Sequence, residues 1–403
     1  MAMGAMRRQA HITEGTRMLY KDFQGLKLSA LGMGAMRLPV IDGDDTKIDQ
    51  AATQEMVDYA IEHGINYFDT AWGYHGGQSE IAMGKALSKY PRDSFYLATK
   101  FPGYDLSNMD KVKEIFEKQL EKTGMEYFDF YLIHNVCEMN IDDYLDTKHG
   151  IMDYLLDQKD AGRIKHLGFS AHGAIPVMER FIDFYGEYLE FCQIQLNYLD
   201  WEFQDARGKV ELCAKHGLPV LVMEPVRGGK LANLPEADAA RLTELRPDEK
   251  PVAWAFRFIQ GIPEVCVTLS GMSNFEQMRE NIATFEEEKP LNDEERAALQ
   301  QVVDGMTAQH TVPCTACHYC TSHCPMGLDI PKLLEMYNEA MVTGGAGGFI
   351  PSMFVGTLPE DKRPSACIGC GSCEAVCPQQ INIPDTLADF ASKLAGQEQP
   401  RWR

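Results

Sequence analysis

Residues 64–80 read GINYFDTAWGYHGGQSE. Gly64 closes the amphipathic run 54–63, where a helix-ending glycine belongs. A short β-rich run, 66–70, follows, and then a polar loop that carries Tyr74. This order of helix stop, short strand and polar strand end recurs along the chain. Strands are predicted at 31–36, 66–70, 95–100, 128–134, 166–170, 192–196, 219–223 and 265–270. Helical patterns lie between them, among them 54–63, 110–122, 176–185 and 204–216. Gly217 reads as a second helix stop, and Asp110 and Asn274 as N-caps. Eight strand–helix units in roughly 250 residues match an α/β fold of the (β/α)8 TIM barrel type. The rival, a doubly wound sheet, usually has fewer strands and a glycine-rich phosphate loop. Here Gly32-Met33-Gly34 lacks the third glycine of that loop. Residues 19–28 read as a hairpin turning at Gln24-Gly25, ahead of the first barrel strand.

The 403 residues exceed what such a barrel needs. Residues 1–18 read as a flexible tail, 19–305 as the barrel and 306–403 as a second module. A polar helix at 293–306 connects the two. Within the module, 330–340 and 385–394 are helical in pattern and 343–348 is a glycine-rich loop, so a mostly helical fold is expected. Composition is that of a globular protein, with 45% apolar and 24% charged residues, which argues against disorder. No run of 18 apolar residues exists, so no membrane span is expected. Arg7-Arg8 has no apolar segment behind it, so no secretory signal is read and a cytoplasmic location is expected. The net charge of −21 disfavours a nucleic-acid partner. Residues 311–403 hold 9 acids and 6 bases, so most of that charge belongs to the barrel side.

Eight of the twelve cysteines form two matching runs, Cys314, Cys317, Cys320, Cys324 and Cys367, Cys370, Cys373, Cys377, each followed by proline. The spacing C-x2-C-x2-C-x3-C-P is that of bacterial two-cluster ferredoxins, and the general rule for that run assigns its fourth cysteine to the other cluster. Soft thiolates suit iron–sulfur corners. One [4Fe-4S] cluster is therefore assigned to Cys314, Cys317, Cys320 and Cys377, the other to Cys367, Cys370, Cys373 and Cys324. Zinc sites usually show two ligand pairs with a longer spacer, and disulfides need an oxidising compartment. Cys137, Cys192, Cys213 and Cys266 are dispersed and read as buried structural thiols.

A barrel gathers its chemistry at the C-terminal ends of its strands. Those positions carry Asp69, Lys100, His134 and Ser170, with Tyr74 in the loop after Asp69. The runs GINYFDTAWGYHGGQSE (64–80), FYLATK (95–100) and FDFYLIHN (128–135) resemble the aldo-keto reductase family, over about residues 19–305. The cysteine module extends the resemblance to the branch of that family carrying a C-terminal dicluster ferredoxin-like domain. The resemblance implies reduction of a small-molecule carbonyl by a nicotinamide. Tyr74 would be the general acid, Asp69 would pair with Lys100, and His134 would orient the substrate oxygen. An ammonium about 4 Å from the phenol, at an effective dielectric of about 20, is worth roughly 4 kcal/mol. Lys100 is therefore expected to draw the Tyr74 phenol down towards neutrality.

The resemblance also implies a nucleotide site. Its residues would be Gly34, Met36, Asp69, Ser170, Gln193, Met223, Glu224, Pro225, Gly228, Gly229, Ser270, Gly271, Ser273, Gln277 and Asn281. Asn197 stands where the family pattern expects it, whereas Ala171 and Met223 replace a common asparagine and aromatic. Many members grip the 2′-phosphate of NADP with a lysine and an arginine where this chain has Gly271 and Gln277, so NADP is expected with NAD as the alternative. Loop residues Tyr104, Asn140, Asp200 and Trp201 are candidates for the substrate pocket. Three functions are consistent with these features: a carbonyl reductase with structural or sensing clusters, a reductase fed through its clusters by a redox partner protein, and an electron-transfer subunit with the barrel as scaffold. The complete set of Asp69, Tyr74, Lys100 and His134 favours the first and argues against the third.

Overall fold

The computed structural model describes residues 17–308, 311–314, 316–342 and 349–396. All but the last two residues of the expected tail at 1–18 lie outside the described residues, as does the glycine-rich run 343–348. The chain divides into two compact units, one up to Arg296 and one from Ala297. The helix Asp293–Ala308 runs across that division. No helix of the described residues is long and apolar enough to cross a membrane.

The first unit opens with a hairpin of β1 (Tyr20–Phe23) and β2 (Leu26–Ser29). Its two-residue turn places Gln24 at φ 49° and Gly25 at φ 88°, the left-handed pair that suits a tight hairpin. Eight parallel strands then close into a barrel: β3 (Leu31–Gly34), β4 (Tyr67–Asp69), β5 (Tyr96–Phe101), β6 (Phe128–Val136), β7 (Ile164–Ala171), β8 (Cys192–Gln195), β9 (Val220–Met223) and β10 (Val265–Ser270). Each lies within two residues of its expected bounds. Helices cover the outside, so strands such as β5 and β10 are buried at every position. Phe23 and Leu28 of the hairpin pack into one cluster with Tyr67, Tyr96, Phe130, Phe191 and Cys266. The Phe23 ring stands 5.2 Å from Phe130 and 5.1 Å from His166. These partners lie at or near the N-terminal ends of their strands. The hairpin therefore seals that end of the barrel and leaves the C-terminal ends as the mouth.

Two local expectations are corrected. Asp110 caps no helix, because a 3-10 turn, Leu106–Lys111, precedes the helix Val112–Thr123 and encloses it. Its carboxylate meets His149 at 2.6 Å instead. The expected helix 204–216 is broken at Asp205, which adopts φ 49° and caps Ala206–Lys215 through the Gly208 amide. Asn274 does cap its helix, accepting from the Gln277 amide at 3.0 Å.

In the second unit the helices Ile330–Val342 and Ile383–Ala395 bury Leu333, Leu334, Ile383 and Leu387 against Cys320 and Cys373. The short helix Phe349–Thr357 lies between them in sequence, and no strand occurs among the unit's described residues.

In the first unit, the helices α1 (Gln50–Glu62), α2 (Ser79–Leu87) and α3 (Val112–Thr123) show how tightly the outer layer is packed. A β-carbon at Gly84 in α2 would lie 2.2 Å from the Thr123 carbonyl at the end of α3. Backbone cannot yield as a flexible side chain can. Gly84→Ala is expected to destabilise the barrel by roughly 1–3 kcal/mol, the usual range for overpacking. An unchanged thermal melt would show that the two helices have slack there.

Candidate functional site

The barrel mouth is lined by strand ends. Gly34, Asp69, Met223 and Ser270 are the last residues of β3, β4, β9 and β10. Lys100 and Ser170 are next to last in β5 and β7, and His134 lies two residues before the end of β6. Lys100 is fully buried. Its Nζ donates to Asp69 Oδ1 at 2.6 Å, to the Thr70 carbonyl at 2.8 Å and to Tyr74 Oη at 3.4 Å. Burial pushes the ammonium's pKa down and the Asp69 carboxyl's up, and each partner's charge opposes that shift. Behind β5, Gln119 donates to the Lys100 carbonyl and to Glu80, which also accepts from Thr99 and Lys122. This buried network fixes the end of the strand.

Tyr74 departs from expectation. Its phenol is pushed well above its ordinary value, first by burial and then by the negative charges of Asp69 and Glu224. Lys100 does not reverse this, because Asp69 neutralises it at 2.6 Å, closer than the phenol at 3.4 Å. The His134 ring stands edge-on between Tyr74, at 6.2 Å, and Tyr104, at 5.2 Å. Burial, then Lys100 and His172, hold the imidazole well below its usual range, so it is neutral. Of the loop candidates, only Tyr104 meets this group. Asn140 is buried and binds the Gly103 and Asn135 carbonyls. Asp200 is buried against Arg227, Asn197 and Gln195. Trp201 packs edge-on to Phe258 at 5.6 Å.

On the other side of the mouth, Ser170 Oγ accepts from the Asn135 amide at 2.8 Å and so keeps its own proton to donate. Gln193 is 2% exposed, and its Oε1 has no partner among the described residues. Its amide nitrogen faces Met223 Sδ at 3.8 Å. Pro225 is buried, and Glu224, Gly228 and Gly229 all take positive φ in the loop after β9. Gln277 and Asn281 are engaged within the fold: Gln277 accepts from the Ser273 amide, and Asn281 donates to Ser270. Met36 is exposed beyond β3. Beside it lies Arg37, which no periodicity singles out. Its side chain runs over Gly271, where a β-carbon would meet three of its methylenes at 3.2 Å. Its guanidinium reaches Glu224 at 3.6 Å and borders Gly228. A positive charge thus stands where Gly271 and Gln277 supply none. The detectable signal was an arginine three residues beyond a barrel strand.

In the second unit the cysteines surround two cavities. Cys314, Cys317, Cys320 and Cys377 line one, and Cys324, Cys367, Cys370 and Cys373 line the other. The fourth cysteine of each run therefore faces the other run's cavity. The middle cysteines, Cys317 and Cys370, are exposed, and Cys320 and Cys373 are buried. Positive φ flanks each middle cysteine, at Ala316 and His318 in one run and Gly369 and Gly371 in the other. Four sulfurs around a cavity, rather than meeting at a point, suit a multi-iron cluster better than one tetrahedral ion.

The model of the aldo/keto reductase family matches residues 30–304, and that of a 4Fe-4S dicluster domain matches residues 313–382. An uncharacterized oxidoreductase of Bacillus subtilis is 26% identical over 308 residues, 68% of this chain and 92% of that protein. The holo form of the aldo-keto reductase AKR11C1 of Bacillus halodurans superposes with a TM-score of 0.58 at 26% identity, covering 71% of this chain and 96% of that one. The aldo-keto reductase of Klebsiella pneumoniae in complex with NADPH has the same fold, with a TM-score of 0.57 at 19% identity over 71% and 96% of the two chains.

The electrostatics of the mouth have a direct test. The His134 ring is expected to stay neutral from about pH 8 down to about pH 5, the window in which an ordinary histidine titrates. Nitrogen-15 NMR of the labelled imidazole would read this, and a shift midpoint inside that window would contradict the burial argument.

Proposed function

The chain belongs to the aldo/keto reductase family, and from that premise we propose that it reduces an aldehyde or ketone to an alcohol with NADP(H), NAD(H) being the alternative nucleotide. The observation that carries this reading is the bonding of one buried ammonium, Lys100 Nζ, to Asp69, Thr70 and Tyr74 at the barrel mouth. When bound, the reduced nicotinamide supplies a hydride to the carbonyl carbon. Tyr74 transfers its phenolic proton to the carbonyl oxygen as that oxygen becomes basic. The raised phenol pKa keeps the donor protonated at neutral pH. The phenolate left behind accepts a hydrogen bond from Lys100, whose charge is shared with Asp69. Asp69 keeps Lys100 charged and in place. Neutral His134 donates an N–H to the substrate oxygen and orients it.

A carboxamide needs one donor and one acceptor, and Ser170 Oγ and Gln193 Oε1 fit that need, the latter being a buried oxygen without a partner among the described residues. Glu224, Gly228 and Gly229 would border the nucleotide's phosphates, with Arg37 and Ser273 supplying charge and a hydroxyl. Residues 19–305 form the reductase and 306–403 the cluster module. Two [4Fe-4S] clusters fit the eight thiolates, in the crossed sets Cys314, Cys317, Cys320, Cys377 and Cys367, Cys370, Cys373, Cys324. When bound, they supply one-electron carriers. The hydride step takes no electron from them, so their role is structural or redox-sensing, with delivery from a redox partner protein as the alternative. The protein works in the reducing cytoplasm, where thiolates persist.

Tyr74→Phe is expected to lower carbonyl turnover by roughly 10²–10⁴-fold, the range for positioned acid catalysis, while NADPH still binds. Parent-like turnover would remove Tyr74 from the mechanism. The crossed ligand sets have their own test in anaerobic iron content. The double variant Cys314→Ser with Cys377→Ser should lose one cluster's iron, and Cys367→Ser with Cys377→Ser should lose both. The reverse pattern would mean that each run holds its own cluster.

A further inference from the structure

The turn that carries Tyr74 is held in an unusual way. Directly after it, His75, Gly76 and Gly77 take φ of 53°, 61° and 88°. Three successive left-handed residues are unfavourable for a chain left to itself, above all at a non-glycine. Something must therefore hold the turn, and the His75 ring is placed to do so. Its side chain is 1% exposed. Nε2 accepts from the Leu38 amide at 3.1 Å. An amide can only donate, so Nε2 is bare and the ring proton sits on Nδ1. Nδ1 then donates to the Asp45 carbonyl at 2.8 Å, with Asp45 Oδ1 at 3.1 Å. Next to it, a β-carbon at Gly76 would touch Thr46 at 3.2 Å.

The segment that His75 grips is itself stiff. Val40 and Ile48 form a bridge, and the Ile41 amide donates to the Lys47 carbonyl. The far side of the turn is fixed as well, because Ser79 Oγ donates to the Ala35 carbonyl at 2.8 Å.

We propose that His75 is a positioning residue for the reduction: by bonding Leu38 and Asp45 at once it fixes the strained turn and thereby holds the Tyr74 hydroxyl beside Lys100. Both ring nitrogens are engaged by the fold itself, at Leu38 and Asp45. It acts through the direction in which Tyr74 points. This rests on the reading of Tyr74 as the proton donor.

Three variants test it, with NADPH and 4-nitrobenzaldehyde as probes and melting temperatures measured on each. His75→Gly keeps the left-handed backbone and removes the ring. Its kcat should fall by about 10²-fold, the scale of an ångström-sized misplacement, with KM for the aldehyde and Kd for NADPH near parent values. His75→Asn tolerates the same backbone and restores a donor near Nδ1, so its kcat should lie between those of parent and glycine variant. A parent-like kcat in a folded His75→Gly overturns the proposal, and so does a loss that tracks melting temperature across the two His75 variants. Tyr74→Phe separates the two levels. If it retains turnover, the acid assignment falls and this proposal with it. If it is inactive while His75→Gly turns over normally, only the positioning role falls.

Discussion

Lys100 holds a positive charge where water cannot reach it, and the mouth of the barrel is organised around making that tolerable. An unpaired buried ammonium is among the most destabilising groups a core can contain, and removing one partner of such a pair typically costs roughly 3–5 kcal/mol. Strand pairing supplies the partner. Asp69 lies opposite Ala98 in the β4–β5 ladder, and Lys100 is two residues farther on the same face. Both side chains therefore point into the same space, and a 2.6 Å contact results. Tyr74 enters that space from the loop after β4, so the phenol meets an ammonium whose charge has already been answered.

That ordering explains what the sequence could and could not reveal. The eight strands were legible because each is a short apolar run closed by polar residues, and the same feature put Asp69, Lys100 and His134 at one end. The sign of the phenol's shift was not legible. It depends on Asp69 lying nearer to Lys100 than Tyr74 does, and on how deeply the ring is buried, neither of which any spacing encodes. Asp110 illustrates a smaller failure: a good capping residue sits in front of an amphipathic run, but a 3-10 turn places the helix start beyond it. Arg37 escaped notice for a related reason. Its position over Gly271 joins the first barrel strand's loop to the last one's, a contact more than two hundred residues apart in the chain.

The cysteine runs were legible because their spacing is local, and the 4Fe-4S dicluster family model matches the segment that holds them. Their likeness extends to the backbone, with left-handed residues on both sides of each middle cysteine. One run uses glycine at both places and the other uses Ala316 and His318, so the shape of the loop is kept although the residues best suited to it are not. The two runs share one loop shape although their compositions differ.

The hairpin at the start of the barrel packs Phe23 and Leu28 onto the N-terminal ends of the strands. The interior behind it is a filled core rather than a channel, so the hairpin thickens the floor of the fold while the ionisable residues stand on its rim. Stability and reactivity are in this way carried by opposite ends of the same eight strands.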